Sequence, residues 1–189
     1  MQKGVPQIMD ITTIRSVLHY LTKNILPTKF ETAQQPEPNT IQLCFRGIDS
    51  QTWLEVSWNG ESPRILKIKN PEKIGRESTL SKQIRYGLKY MALTSIDQND
   101  FERVIKFGFA KKPGDKISKY LIFELMGKHS NIFYLDNKHK IIAVGNKLNQ
   151  VNLVLEQFQQ DQFTLALQLI SKNNLEKMSL FNHGKTQYQ

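Results

Sequence analysis

The chain has 189 residues, of which 39% are hydrophobic and 23% are charged. This composition is typical of a folded globular domain with its own core, and it excludes a disordered polar chain. Lys and Arg outnumber Asp and Glu by 26 to 17, and the formal net charge of +9 favours a polyanionic partner. Nucleic acid is the first candidate and an anionic membrane surface the second.

Cysteine, histidine and apolar content restrict the function further. Cys44 is the single cysteine, which excludes an internal disulfide and a cysteine cluster for zinc. The histidines show no metal-ligand spacing; they are His19, His129, His139 and His183. No apolar stretch approaches the roughly 18 residues of a membrane-spanning helix, and the N-terminus lacks the apolar core of a secretory signal. We therefore expect an intracellular, soluble protein with no metal, no cofactor and no membrane partner.

The first half of the chain predicts one helix followed by strands. Apolar residues recur at the helical period from Ile11 to Ile25, Asp10 is suited to cap the helix, and Pro27 ends the segment. Turn signals rich in Gly, Pro and Asn then separate four short strand-like segments. These segments are Lys29 to Gln34, Thr40 to Ile48, Trp53 to Trp58 and Arg64 to Ile68.

The second half predicts a second helix and a further set of strands. Leu80 to Met91 has one apolar face. Lys82, Arg85 and Lys89 lie mostly on the rest of the helix surface and form a basic stripe. Two helices among mostly antiparallel strands predict an α+β fold. The expected strands are Leu93 to Ile96, Arg103 to Phe109, Tyr120 to Met126, Ile132 to Leu135 and Ile141 to Val144.

Lys119 to Asp136, KYLIFELMGKHSNIFYLD, is the most informative segment. Two apolar runs flank a Gly-centred break that carries Lys128, His129 and Asn131, so the segment predicts a hairpin with a basic, polar turn. From the residues alone, this is equally well an ordinary solvated turn. ELMGKHSNIFYL, however, closely resembles the E-[IL]-M-G-[KR]-[HY]-S-N-hydrophobic signature of the NFACT N-terminal domain family. That family includes bacterial proteins labelled fibronectin-binding protein A, RqcH proteins and eukaryotic NEMF relatives.

Other segments resemble the same family in the same order. MDITTIRSVLHYL resembles its opening helix, SKQIRYGL a helix with a characteristic arginine, and FERVIKFGFA a strand that begins with an acid and an arginine. The resemblance implies residues 1–148 as an NFACT N-terminal-like domain whose strand core is similar to that of Fpg/MutM-type glycosylases. It also implies that the long coiled coil and C-terminal regions are missing. We expect residues 149–189 to form a divergent helical or partly disordered tail.

The resemblance also implies a set of RNA-binding residues. Glu102 and Arg103 match an Asp-Arg pair implicated in engaging tRNA, with Glu in place of Asp, and arginine suits phosphate because its planar fork makes two-point contacts. On the residues alone, this pair is an acid and a base at a strand edge, and Asp10 is a helix cap. The full set is Asp10, Arg85, Glu102, Arg103, Lys128, His129 and Asn131.

Two functional hypotheses follow, and neither is enzymatic. The first is an RNA-binding module of ribosome-associated quality control that binds tRNA, the large ribosomal subunit of stalled complexes, or both, in a bacterial cytoplasm or plastid stroma. The alternative is a protein–protein or structural module that kept the fold and lost RNA binding. Glycosylase activity is excluded because Pro6 is internal and Gln7 follows it, where those enzymes use an N-terminal proline and a glutamate.

Overall fold

A computed structural model describes residues 9–48, 50–75, 77–98 and 102–146. The two α-helices of this part are α1 (Ile11–Ile25) and α2 (Thr79–Gly87). Asp10 caps α1 as the sequence predicts, since its Oδ1 accepts a hydrogen bond of 2.7 Å from the Thr13 amide. The predicted tail at residues 149–189 lies outside the described residues.

Nine strands form one antiparallel sheet in the order β4-β3-β2-β1-β5-β6-β7-β8-β9. The predicted α+β class is therefore confirmed. The strands are β1 (Thr28–Glu37), β2 (Thr40–Arg46), β3 (Gln51–Ser57), β4 (Arg64–Ile68), β5 (Ala92–Gln98), β6 (Val104–Ala110), β7 (Lys119–Glu124), β8 (Asn131–Asp136) and β9 (Ile141–Val144).

Close approaches between distant parts of the sheet show that it is strongly curved. A methyl group added to Gly60, between β3 and β4, would lie 3.0 Å from the Cα of Lys128, between β7 and β8. One added to Gly145, after β9, would lie 2.8 Å from the indole of Trp58. Each helix also contacts two strands that are not neighbours in the sheet. α1 contacts β4 and β5, and α2 contacts β1 and β9.

One apolar core joins the helices to the sheet. The helices bury Ile14, Leu21 and Ile84 completely or almost completely, as the sequence periodicity predicts. In the sheet, Phe30 makes edge-to-face contacts with Phe45 and Phe109 at centroid distances of 6.0 and 6.2 Å. Large buried side chains of this kind supply most of the hydrophobic free energy of folding, so the core holds the strand ends in fixed positions.

α2 is shorter than predicted. The apolar face continues to Met91, but the helix ends at Gly87, and the Leu88 amide donates to the Ile84 carbonyl at 2.9 Å as the last helical bond. Tyr90 then adopts φ +67°, outside the range of a right-handed helix. The prediction of Leu80 to Met91 as one helix is therefore wrong at its end, because periodicity does not register a backbone reversal. Lys89 consequently lies in the turn after the helix.

Candidate nucleic-acid interface

The turn between β7 and β8 presents two basic side chains. Gly127 has φ +57°, a conformation that glycine adopts without strain, and it starts a short 3₁₀ helix, Gly127–His129. The Ser130 amide donates to the Gly127 carbonyl at 2.9 Å and closes the turn. Lys128 and His129 are exposed. The predicted hairpin is confirmed, and its turn directs these two side chains to solvent.

Asn131 is placed differently from its neighbours in the turn. Its side chain is 4% exposed, and its Oδ1 accepts hydrogen bonds of 2.9 Å from the amides of Ile132 and Asn146. Its Nδ2 donates to the Asn146 carbonyl at 3.3 Å. The amide is therefore used within the fold, where it ties the start of β8 to the segment after β9 and positions the turn.

Glu102 and Arg103 immediately precede β6, and the sheet brings them to the same end as the turn. The Leu125 amide donates to the Arg103 carbonyl at 2.9 Å, and the side chain of Gln98 donates to the Glu102 carbonyl at 2.9 Å. Both residues are partly exposed. Two motifs that are separated in sequence thus meet at one edge of the domain.

The strand register explains this meeting. Val104 is opposite Glu124 in the β6–β7 pair, and Glu124 is opposite Asn131 in the β7–β8 pair. The start of β6, the end of β7 and the start of β8 are therefore in line across the sheet. We call the surface formed by Glu102, Arg103, Lys128 and His129 the turn-end surface.

Glu124 belongs to this region, although sequence reasoning does not select it as a site residue. Burial, followed by the nearby Glu102 carboxylate, raises the pKa of Glu124 to about 7. A carboxyl group that ionises near neutral pH can change the charge of the turn-end surface under mild conditions. The glutamate opens the ELMGKHSN motif, and its proximity to the Glu102 carboxylate is visible only in the fold.

Arg85 lies elsewhere, on α2. Its guanidinium forms an ion pair with Glu77 and donates to the Tyr86 hydroxyl at 3.1 Å. It lines a cavity of about 530 Å³ together with Glu31, Gln34 and other residues of β1 to β3, and the other predicted site residues do not line this cavity in the described part of the chain. Arg85 is thus not grouped with the turn-end surface.

Asp10 has a structural role in the described geometry. Its carboxylate accepts from the Thr13 amide, and this bond lowers the pKa of Asp10. Among the described residues, no group of three or more His, Cys, Asp or Glu side chains could hold a metal ion. None of the helices in the described ranges has the length and apolar character to cross a bilayer.

The family model for NFACT N-terminal and middle domains matches residues 10–179. The chain belongs to the NFACT family. The predicted family is confirmed, and the match to NFACT members continues beyond Leu148, where the motifs recognised in the sequence end. The resemblance is therefore longer than predicted, whereas the division of the chain at residue 148 stays a prediction.

Curated relatives include the protein named Rqc2 homolog RqcH from Streptococcus pneumoniae, in strains D39 and R6. Each is 30% identical to this chain over 119 residues, which covers 55% of this chain and 22% of the relative. The chain spans about a fifth of the length of these relatives.

Solved structures show the same fold at lower identity. The N-terminal domain of fibronectin-binding protein PavA from Streptococcus pneumoniae matches with a TM-score of 0.66 and 24% identity, over 73% of this chain and 54% of that one. The N-terminal part of the fibronectin/fibrinogen-binding protein from Streptococcus suis gives 0.64 and 24%, over 70% and 51%. The fibrinogen-binding protein from Staphylococcus aureus gives 0.61 and 22%, over 72% and 49%. These likenesses establish an NFACT N-terminal fold.

Proposed function

We propose that this chain is a non-enzymatic RNA-binding module of ribosome-associated quality control, which binds tRNA, the large ribosomal subunit of stalled complexes, or both. The observation that carries the proposal is the turn-end surface. It gathers Arg103 from one family motif and Lys128 and His129 from another, at the same end of the neighbouring strands β6, β7 and β8. The membership in the NFACT family and the RqcH relatives support the same assignment.

The chemistry of the turn-end surface suits a phosphate backbone. Arg103 supplies a planar guanidinium for two-point contacts, and Lys128 supplies a compact charge on a flexible stem. Contacts of this kind position a nucleic acid without reading its bases, so we expect recognition by shape and charge with weak sequence preference. Asn131 acts in this proposal by holding the turn in place, since its amide is engaged within the fold.

The roles of the remaining predicted residues follow from their positions. Glu102 and Glu124 place two carboxyl groups near each other at the same end of the sheet, where their negative charge limits the affinity for phosphate. Asp10 stabilises α1, and Arg85 stays a proposed phosphate contact on a separate part of the surface.

The test is the binding of labelled tRNA, measured by fluorescence anisotropy at several salt concentrations. If about four phosphate contacts form, the slope of log K against log salt should be near −3. Arg103→Glu combined with Lys128→Glu should abolish most binding. The charge-matched control Lys67→Glu with Lys69→Glu, at the end of edge strand β4, should retain it. A flat salt response, or equal losses in both double variants, would contradict the proposal and favour an interaction module without RNA.

A further inference from the structure

Tyr90 is an unusual residue at the opposite end of the sheet. It lies between α2 and β5 with φ +67°, a conformation that a bulky side chain rarely adopts, and it is 71% exposed. The Lys89 ammonium lies 4.9 Å and the Lys29 ammonium 5.9 Å from the centroid of its ring. The ring is therefore held in solvent beside two cations and contributes little to the core.

Tyr90 borders an open groove of about 500 Å³. Lys29, Arg46, Lys111 and Lys112 supply four cationic side chains to its lining, and Ile48 adds a fully exposed apolar side chain. The strand register brings these elements together, since Lys29 on β1 is opposite Arg46 on β2 and Ala92 on β5. We call this feature the Tyr90 groove.

Few acidic groups offset the charge of the groove in the described part of the chain. Glu31 binds the Nε of Arg46 at 2.5 Å, but the Arg46 side chain is still 59% exposed. Asp115 shares the turn with Lys111 and Lys112, and its amide donates to the Lys112 carbonyl at 3.1 Å. The lysines of this turn and Lys29 are exposed, so the groove stays strongly basic.

We propose that the Tyr90 groove binds an unpaired RNA nucleotide, with its base stacked on Tyr90 and its phosphates held by the surrounding lysines. Exposed aromatic rings beside basic side chains are the combination that single-stranded nucleic acid requires, since every base offers a flat face and every linkage a negative charge. Ile48 provides a second apolar surface for the base.

This inference rests on the proposed function in that RNA is the ligand, but it concerns a different surface. β6 runs from the turn-end surface to Lys111, and its seven residues separate the two regions by about 20 Å at 3.3 Å per residue. One RNA that is partly paired and partly unpaired could thus reach both ends of the sheet.

The backbone conformation at Tyr90 allows the ring to be removed without disturbing the turn. Glycine adopts φ +67° without strain, so Tyr90→Gly removes the ring and keeps the turn. Tyr20 on α1 is the matched control, because it is 46% exposed and the Lys67 ammonium also lies 5.9 Å from its ring centroid. A structural role for Tyr90 would reduce the melting temperature, whereas a stacking role would reduce binding alone.

The experiment measures the anisotropy of a labelled ten-nucleotide single-stranded RNA and, separately, of tRNA. Tyr90→Gly should weaken single-strand binding about tenfold or more without loss of thermal stability, and Tyr20→Ala should leave it unchanged. Lys111→Glu with Lys112→Glu should reduce the salt slope on the single strand by about 1.4. The tRNA affinity of these variants should fall less than that of the turn-end double variant.

The outcomes separate this inference from the proposed function. If tRNA binding depends on salt but Tyr90→Gly binds the single strand with wild-type affinity, the proposal for the Tyr90 groove is wrong. The proposal for the turn-end surface is then unaffected. If the turn-end double variant binds the single strand normally and Tyr90→Gly does not, the result supports the Tyr90 groove independently of the turn-end surface. If the wild type binds anionic lipid vesicles through Tyr90 and binds no single-stranded RNA, the proposed ligand class is wrong.

Discussion

The turn-end surface and the Tyr90 groove differ in how the fold uses their polar groups. At the turn end, Asn131 is hydrogen-bonded within the fold and Glu124 is buried near Glu102, so these polar groups mainly stabilise the fold. At the other end, Tyr90 and the lysines of the groove face solvent. A recognisable motif thus marks where the backbone needs particular residues, and a candidate binding surface also arises where no motif is present.

Asn131→Ala should have the largest effect and should act on stability. The substitution removes the acceptor for the buried Ile132 amide and the partly buried Asn146 amide, which costs roughly 2–3 kcal/mol of unfolding free energy. Urea denaturation measures the loss. Asn137→Ala, in the exposed turn between β8 and β9, is the control and should change stability by less than about 0.5 kcal/mol. Equal stability of the Asn131 variant and wild type would return Asn131 to the candidates for direct RNA contact.

Glu124→Gln should change how stability depends on pH. The pKa of Glu124 is raised from 4.5 in the unfolded chain to about 7 in the folded one, so the folded state holds the proton more tightly. Its contribution to stability is complete below pH 4.5 and is lost as pH rises through 7. Gln stays neutral, so above pH 7 the variant should be more stable than wild type by about 2 kcal/mol, a figure discounted for solvent screening.

Thermal melts at pH 5 and pH 8 test this pH dependence. The difference between Glu124→Gln and wild type should be small at pH 5 and should favour the variant at pH 8. Glu61→Gln removes an exposed carboxylate and should show no such pH-dependent gain. A constant difference at both pH values would mean that Glu124 ionises normally, and the turn end would then be less buried than the described geometry indicates.

Arg103→Ala should weaken RNA binding with little effect on folding. Its fold contact is made by the backbone carbonyl, which alanine retains, whereas the guanidinium is available for charge-assisted contacts worth roughly 1–2 kcal/mol. The tRNA titration described above measures the loss, and Lys23→Ala on the exposed face of α1 is the control. A marked drop in melting temperature would identify Arg103 as structural and leave the Tyr90 groove as the main basic surface.

Substitution of Asp10 should have the smallest effect. It tests whether an RNA-binding site exists outside the turn-end surface and the Tyr90 groove. Asp10→Ala should cost about 1 kcal/mol of stability because it removes the helix cap, and Asp10→Asn should retain most of it. Both variants should bind tRNA as wild type does. Loss of binding in Asp10→Asn with normal stability would show that the carboxylate has a function beyond capping.

Much of the fold is predictable because the pattern of apolar residues reports burial directly. α1, β4 and β9 have the predicted bounds, and the hairpin at Gly127 follows from its flanking apolar runs. These elements are defined by local periodicity and by turn residues, which act over a few positions. The family resemblance adds the order of the motifs, and it correctly identifies the NFACT N-terminal fold.

The unpredicted features depend on contacts between distant residues or on backbone conformation. The early end of α2 results from the reversal at Tyr90, where a tyrosine occupies a conformation more common for glycine. The proximity of Glu102 and Glu124 depends on the register of β6 and β7. Ile48 ends a predicted strand and Tyr90 lies within the predicted second helix, and the fold leaves the side chains of both exposed.

The close approach of Gly60 to Lys128 has a consequence for mapping experiments. Because the backbone of one hairpin rests directly against the backbone of another, a ligand that shifts the Lys128 turn by a few tenths of an ångström must also displace the chain around Gly60. Amide signals near Gly60 should therefore respond to RNA in a titration whether or not the nucleic acid touches them. A footprint drawn from chemical-shift changes alone would enclose more of the surface than the ligand covers.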